Sequence, residues 1–208
     1  SVECIHSYSL IHDDLPCMDN DKIRRGKPST HVKFGEASAV LAGNSLLTLA
    51  FEIIADKKYL LNSKIKNEII KSLAFCSGHT GIAGGQELDL KFEKKKRSLN
   101  QIISMQEKKT GKLFSFCLFA VGVVSKQNKK EIKNLTHLGE QIGLLFQLAD
   151  DFLDIKGSNR TLGKSTKKDR KKGKSTLVNL MGYEKAYMYA LNLKKKILLK
   201  LEKHGKKA

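Results

Sequence analysis

Asp13-Asp14-Leu15-Pro16-Cys17-Met18-Asp19 and Asp150-Asp151-Phe152-Leu153-Asp154 are the stretches best suited to chemistry in this chain. Each lies in or at the end of an apolar, helix-like segment, where a carboxylate is costly unless it is paired or holds a metal. Carboxylate oxygens suit hard divalent cations. Mg²⁺ commonly takes one or two carboxylates together with substrate phosphate oxygens. In the second cluster Gln147, Asp150, Asp151 and Asp154 stand at i, i+3, i+4 and i+7, on one helix face. Like charges so spaced repel unless a cation lies between them. A solvent-facing acidic stripe would not explain the apolar neighbours Ile142, Leu144, Leu145, Phe146 and Leu148. Asp13 and Asp19 would sit about 120° apart on a straight helix. A bend at Pro16 can turn both into one cavity.

Basic residues flank both clusters. Arg24-Arg25-Gly26 follows the first, and Lys109-Thr110-Gly111 lies between the two. Leu162-Gly163-Lys164 and Gly173-Lys174-Ser175-Thr176 follow the second. Arginine grips phosphate oxygens through a planar fork, and lysine acts as a point charge. Carboxylates for Mg²⁺ beside arginine and lysine predict a diphosphate pocket. Gly173-Lys174-Ser175-Thr176 lacks the upstream glycine and strand of a P-loop.

Helices must position these groups. Apolar residues recur every three or four positions over residues 1–14, which end at the first cluster. Pro16 stops that helix, and the polar run Asp19 to Phe34 reads as a loop. Further helices are expected over Glu36 to Asp56, and from about Lys64 to Gly78 behind an Asn62 or Ser63 cap. Gly81, Gly84 and Gly85 mark close packing or a break. Ser98 caps a segment running to Ser125, and Lys129 to Ile155 carries the second cluster. Gly157 to Ser175 reads as a basic loop, and Tyr183 to about His204 as a last amphipathic helix. No β-alternation is evident, so the fold class is all-α.

Composition narrows the partners. The chain has 208 residues, is 40% hydrophobic and carries a formal net charge of +18. The lysines are scattered and aromatic residues are few, so a solvated surface is expected rather than nucleic-acid binding. The apolar stretch Leu113 to Val124 is too short to span a bilayer. Cys4, Cys17, Cys76 and Cys117 show no paired spacing, and read as reduced core residues of a cytoplasmic protein.

The run His6-Ser7-Tyr8-Ser9-Leu10-Ile11-His12-Asp13-Asp14 through Asp19, then Asp21 and Arg24-Arg25-Gly26-Lys27-Pro28, forms one motif. Gly84-Gly85-Gln86, Lys109-Thr110-Gly111, Gln147 through Asp154 and Gly173-Lys174-Ser175-Thr176 follow in order. In this order and spacing the chain resembles the trans-isoprenyl diphosphate synthases, and among them the bacterial farnesyl diphosphate synthases. The resemblance implies a barrel of mostly antiparallel helices around a deep central cavity, usually in a homodimer. It implies Mg²⁺, three ions per site, with Mn²⁺ an acceptable substitute. Asp13, Asp19 and Asp150 would be the metal ligands, supported by Asp14, Asp151 and Asp154. Arg24, Lys109, Thr110, Gln147 and Lys164, with Lys174 close by, would hold the allylic diphosphate. His6 and Arg25 would contact isopentenyl diphosphate.

The implied reaction is 1'-4 condensation by ionisation, condensation and elimination, giving farnesyl diphosphate. Tyr8 lies about 7.5 Å down the first helix from Asp13, where its ring could floor the cavity and set product length. Ser9 beside it is small. In the family, an aromatic residue at this position with a two-residue insertion, here Pro16-Cys17, marks farnesyl synthases. The family also carries a Gly-Lys-x-x-Arg-Pro element upstream of the first motif. The expectation is therefore one domain over residues 1–208, cut at the N-terminus and short at the C-terminus. Alternatives are a geranylgeranyl or longer-chain synthase, a non-catalytic synthase-like subunit, a terpene cyclase and a nucleic-acid-binding protein.

Overall fold

A computed structural model of the chain describes residues 1–93, 95, 97–156 and 176–205. Helices dominate them, in keeping with the all-α expectation. Helix α1 (Val2–Asp13) ends at the first aspartates. A two-stranded hairpin follows, β1 (Ile23–Arg24) against β2 (Lys27–Pro28), then the short α2 (Thr30–Phe34). This departs from the loop expected over Asp19 to Phe34, because two-residue strands are too short to show alternation. Arg25 and Gly26 both take positive φ, 53° and 76°. That is the backbone of a two-residue hairpin turn, in which glycine is favoured.

Helix α3 (Glu36–Ala55) packs along α1, and α4 (Ser63–Ser77) starts where Asn62 accepts a hydrogen bond from the Lys64 amide. Gly78 and Gly81 flank a break, after which α5 (Ile82–Phe92) begins, with Gly84 and Gly85 in its first turn. Ser98 and Gln101 form a reciprocal cap on α6 (Leu99–Gln106). The expected helix up to Ser125 contains an interruption. Glu107–Gly111 is a π-helical turn leading into α7 (Lys112–Val124). Such turns often mark functional sites. Helix α8 (Lys129–Lys156) lies against α7 and carries the second aspartate cluster. Then α9 (Leu177–Met181) and α10 (Tyr183–Leu201) complete the described fold. The basic segment Gly157 to Ser175, with Lys164 and Lys174, lies outside the described residues.

Two apolar clusters hold the helices together. Ile5, Tyr8, Ala50, Leu73, Cys76, Ile82 and Phe116 join α1, α3, α4, α5 and α7. Ile102, Leu138, Leu148, Leu177 and Leu193 join α6, α8, α9 and α10. The cysteines are unpaired, but only Cys76 is buried, and Cys17 is exposed on the turn after Pro16. The expectation of core residues fails for Cys17 because that turn stands clear of both clusters.

The helix closest to a membrane span is α3, not Leu113 to Val124. Among the described residues it alone has the length and mean hydropathy, 1.6, to cross a bilayer. Here Ala39, Gly43 and Ala50 are buried, while Val40, Leu41 and Leu49 are exposed.

Candidate active site

The first cluster is built by the end of α1 folding back on itself. After Pro16 the chain returns, and the Asp19 amide donates to the Asp13 carbonyl at 2.8 Å. The Asp21 amide donates to the Asp14 carbonyl at 3.1 Å. The bend expected at Pro16 is therefore a compact turn that pins Asp19 beside Asp13.

Asp13 and Asp14 part company there. Asp13 lines a cavity of about 410 Å³. Asp14 is buried and turned toward the hairpin, where Arg24 Nε donates to both of its oxygens at 3.2 and 3.3 Å. Burial pushes the Asp14 carboxyl above the usual carboxylate range, against the pull of the Arg24 guanidinium. Burial works to lower the Arg24 pKa, yet Asp14 and Asp21 raise it overall. Arg24 Nη2 also lies 3.6 Å from Asp21. The structure thus places Arg24 as the partner of Asp14, and not among the residues lining the cavity. At the hairpin tip Arg25 donates to His6 Nε2 at 3.3 Å. These two residues, which the resemblance assigns to one substrate, are in contact.

The π turn supplies the opposite wall. Lys109 Nζ lies 2.8 Å from Asp89 Oδ2 and 3.9 Å from Asp13 Oδ2. The Thr110 hydroxyl donates to Gln147 Oε1 at 3.1 Å, and Gln147 Nε2 donates to Asp151 Oδ1 at 3.0 Å. A chain of contacts therefore runs from Asp13 through the π turn to Asp151 on α8. Two glycines clamp the turn. A Cβ on Gly85 would meet the Lys109 amide nitrogen at 2.2 Å, and one on Gly143 would meet Gly111 Cα at 2.7 Å. Only glycine lets helices approach this closely.

Asp151 is buried, whereas Asp150 and Asp154 are half-buried on the same helix. Among the described residues no three His, Cys, Asp or Glu side chains form a ready metal cage. Asp13 with Asp19 beside it, and Asp150 with Asp154 on α8, are donors of the type that Mg²⁺ takes, one or two carboxylates per ion with phosphate oxygens and water completing its shell.

His6, Ser9, Asp13, Lys109 and Thr110 share the cavity, whose walls are largely apolar: Leu10, Ile82, Leu113, Phe114 and Phe146. Its volume falls in the range of small-molecule sites. Tyr8 is not a lining residue, which corrects its expected place on the floor. Five residues turn a helix by about 140°, so Tyr8 cannot share the face of Asp13. Its hydroxyl donates to the Ser77 carbonyl at 3.3 Å, and its ring sits in the core cluster with Ile82, behind the cavity wall. Burial first, then the Asp13 charge, raises the Tyr8 pKa. Sequence reasoning missed Asp89. The signal was there: a carboxylate between Leu88 and Leu90, three residues after Gln86.

The family model for polyprenyl synthetase matches residues 1–208. A farnesyl diphosphate synthase of Micrococcus luteus is 44% identical over 184 residues, 88% of this chain and 62% of that protein. One of Escherichia coli is 45% identical over 196 residues, 93% of this chain and 65% of that protein. A crystal structure of a geranyltransferase from Helicobacter pylori, complexed with magnesium and isoprenyl diphosphate, superposes with a TM-score of 0.88 at 42% identity. The match covers 97% of this chain and 65% of that one. The chain thus spans just under two thirds of the length of these relatives.

Proposed function

The chain belongs to the polyprenyl synthetase family, and we propose that its cavity joins an allylic diphosphate to isopentenyl diphosphate. The observation that carries this reading is the Lys109 ammonium, held by Asp89 at 2.8 Å and facing Asp13 at 3.9 Å over an apolar cavity. The same turn reaches the second aspartate cluster through Thr110 and Gln147.

The allylic C–O bond breaks, and its electron pair stays on the diphosphate. The double bond of isopentenyl diphosphate then attacks the allylic carbon, and loss of a proton restores a double bond. No protein nucleophile is needed. Lys109 places a fixed positive charge where negative charge grows on the leaving group. Thr110 and Gln147 orient that group, with Lys164 and Lys174 proposed to join them. Arg24, held by Asp14, presents its remaining donors near the first cluster. His6 and Arg25 bind the second diphosphate. The apolar walls keep out water that would quench the cation.

Asp13, Asp19 and Asp150 would hold Mg²⁺, three ions per site, with Asp154 in support. When bound, the ions supply charge stabilisation to the departing diphosphate. The magnesium and isoprenyl diphosphate named for the Helicobacter pylori structure support this assignment.

We propose farnesyl diphosphate as the product, on the names of the bacterial relatives. A cytoplasmic homodimer is the proposed setting, with the exposed apolar face of α3 available to a second copy. The test is incubation with isopentenyl and geranyl diphosphates, with and without Mg²⁺, and chain-length analysis of the product.

A further inference from the structure

Helix α10 carries two apolar stripes, and the core uses one of them. Ala186, Ala190, Leu193 and Ile197 recur at i, i+4, i+7 and i+11 and are buried, the last three in the cluster with Leu138 and Leu148 of α8. Met188, Leu191, Leu198 and Leu199 recur at i, i+3, i+10 and i+11 on the other side. Leu199 stands nine residues from Ala190, about half a turn around the axis. These four side chains are 55%, 42%, 48% and 53% exposed. A lone exposed leucine needs no explanation, but four large apolar side chains in one stripe mark a contact surface.

Lysines frame this outer stripe. Lys195 lies within it, seven residues after Met188. Lys194 falls on one flank and Lys185 and Lys196 on the other, and all four are exposed. From Lys185 to Leu201 the helix has no Asp or Glu, in a chain of net charge +18. The partner that complements this face is therefore anionic and offers apolar depth. A second copy fits it badly, because a two-fold contact would set the same lysines against each other. An apolar stripe with lysines on both flanks is the pattern of a helix lying in a lipid interface. There the lysine stems run along the apolar boundary while the ammonium heads reach the phosphates.

We propose that the outer face of α10 docks on an anionic phospholipid surface. Met188, Leu191, Leu198 and Leu199 enter the acyl boundary, and Lys185, Lys194, Lys195 and Lys196 pair with lipid phosphates. The helix lies on the bilayer and does not cross it: among the described residues only α3 has the length and mean hydropathy of a span. The inner stripe stays in the core, so docking needs no rearrangement of the fold. This inference stands apart from the prenyl-transfer reading, and neither depends on the other.

The test is co-sedimentation of the 208-residue chain with vesicles of phosphatidylcholine, alone and mixed with phosphatidylglycerol. The chain should bind the mixed vesicles and not the neutral ones, and more weakly as salt rises. Leu191→Gln together with Leu198→Gln should weaken binding by roughly tenfold or more. Lys194→Gln, Lys195→Gln and Lys196→Gln together should weaken it by roughly a hundredfold. Lys57→Gln, Lys64→Gln and Lys71→Gln together remove the same charge from exposed positions elsewhere, and should leave binding within about twofold of the parent. The chain has no tryptophan, so Leu198→Trp reports on this face alone, and its emission should shift to shorter wavelength on the mixed vesicles. Absence of binding to the mixed vesicles overturns the proposal. So do equal losses from the two lysine sets, or unshifted Leu198→Trp emission in the bound protein. If the leucine pair instead dissolves a dimer and leaves vesicle binding intact, the face belongs to a second copy and the proposal falls.

Discussion

The Thr110 hydroxyl donates to Gln147 Oε1 at 3.1 Å, and this bond joins the π turn before α7 to the aspartate-bearing face of α8. Gln147 passes the link on to Asp151 at 3.0 Å. Two segments 37 residues apart thus meet beside one cavity. The turn can stand there because Gly85 and Gly143 leave it room.

Gly85→Ala and Gly143→Ala test that clamp. A methyl group at either position meets backbone, which cannot swing away as a side-chain tip could. Each substitution should destabilise the fold by about 1–3 kcal/mol, measured by urea unfolding. Turnover should fall as well, because Lys109 and Thr110 ride on the displaced turn. Unchanged stability in both variants would show that the turn does not depend on the glycines.

Lys109 and Asp89 should act as a unit. If Asp89 holds the ammonium in place, Asp89→Ala loses much of what Lys109→Ala loses. The double variant should then be little worse than Lys109→Ala alone, a non-additivity that a double-mutant cycle in kcat/KM reads directly. Fully additive losses would mean that the 2.8 Å contact has no part in turnover.

The two arginines should separate. Arg24 neutralises the buried Asp14, so Arg24→Ala should cost about 1–3 kcal/mol of stability and weaken the allylic diphosphate. Arg25 is exposed at the hairpin tip, so Arg25→Ala should leave the thermal midpoint alone and raise KM for isopentenyl diphosphate. Equal effects of the two variants on both substrates and on stability would show that the hairpin was divided wrongly.

Tyr8→Ala should lower stability by about 3–5 kcal/mol, the usual cost of removing a buried aromatic ring. It should also lengthen the product beyond C15, because the ring backs Ile82 in the cavity wall. A destabilised variant that still stops at C15 would leave Tyr8 a core residue only.

The sequence was most legible where period and caps agree. The apolar period of α8 and the Asn62 cap each place a helix to within a residue or two, and Ser98 marks the start of α6 but not its end. The aspartate clusters were legible because carboxylates in apolar helices are rare. The π turn was not, since one extra residue in a helical turn leaves no mark on a 3.6-residue pattern. Asp14 and Arg24 look alike in sequence to the metal-facing and phosphate-facing residues beside them. Only the return of the chain after Pro16 and the turn at Arg25-Gly26 pairs them with each other. Tyr8 lies off the cavity face for a simpler reason: the five residues that set it about 7.5 Å from Asp13 along the axis also rotate it by about 140°.

Mg²⁺-dependent prenyl transfer, measured in the parent and in Asp13→Ala and Asp150→Ala, tests the site most directly. The parent should convert isopentenyl and geranyl diphosphates to farnesyl diphosphate, stop when the metal is chelated and recover when Mg²⁺ is restored. Each aspartate variant should lose roughly a hundredfold or more in kcat, since each removes stabilisation confined to the transition state. Transfer that survives chelation, or near-normal turnover of Asp13→Ala at saturating Mg²⁺, would contradict the assignment of the two clusters to one metal-dependent site.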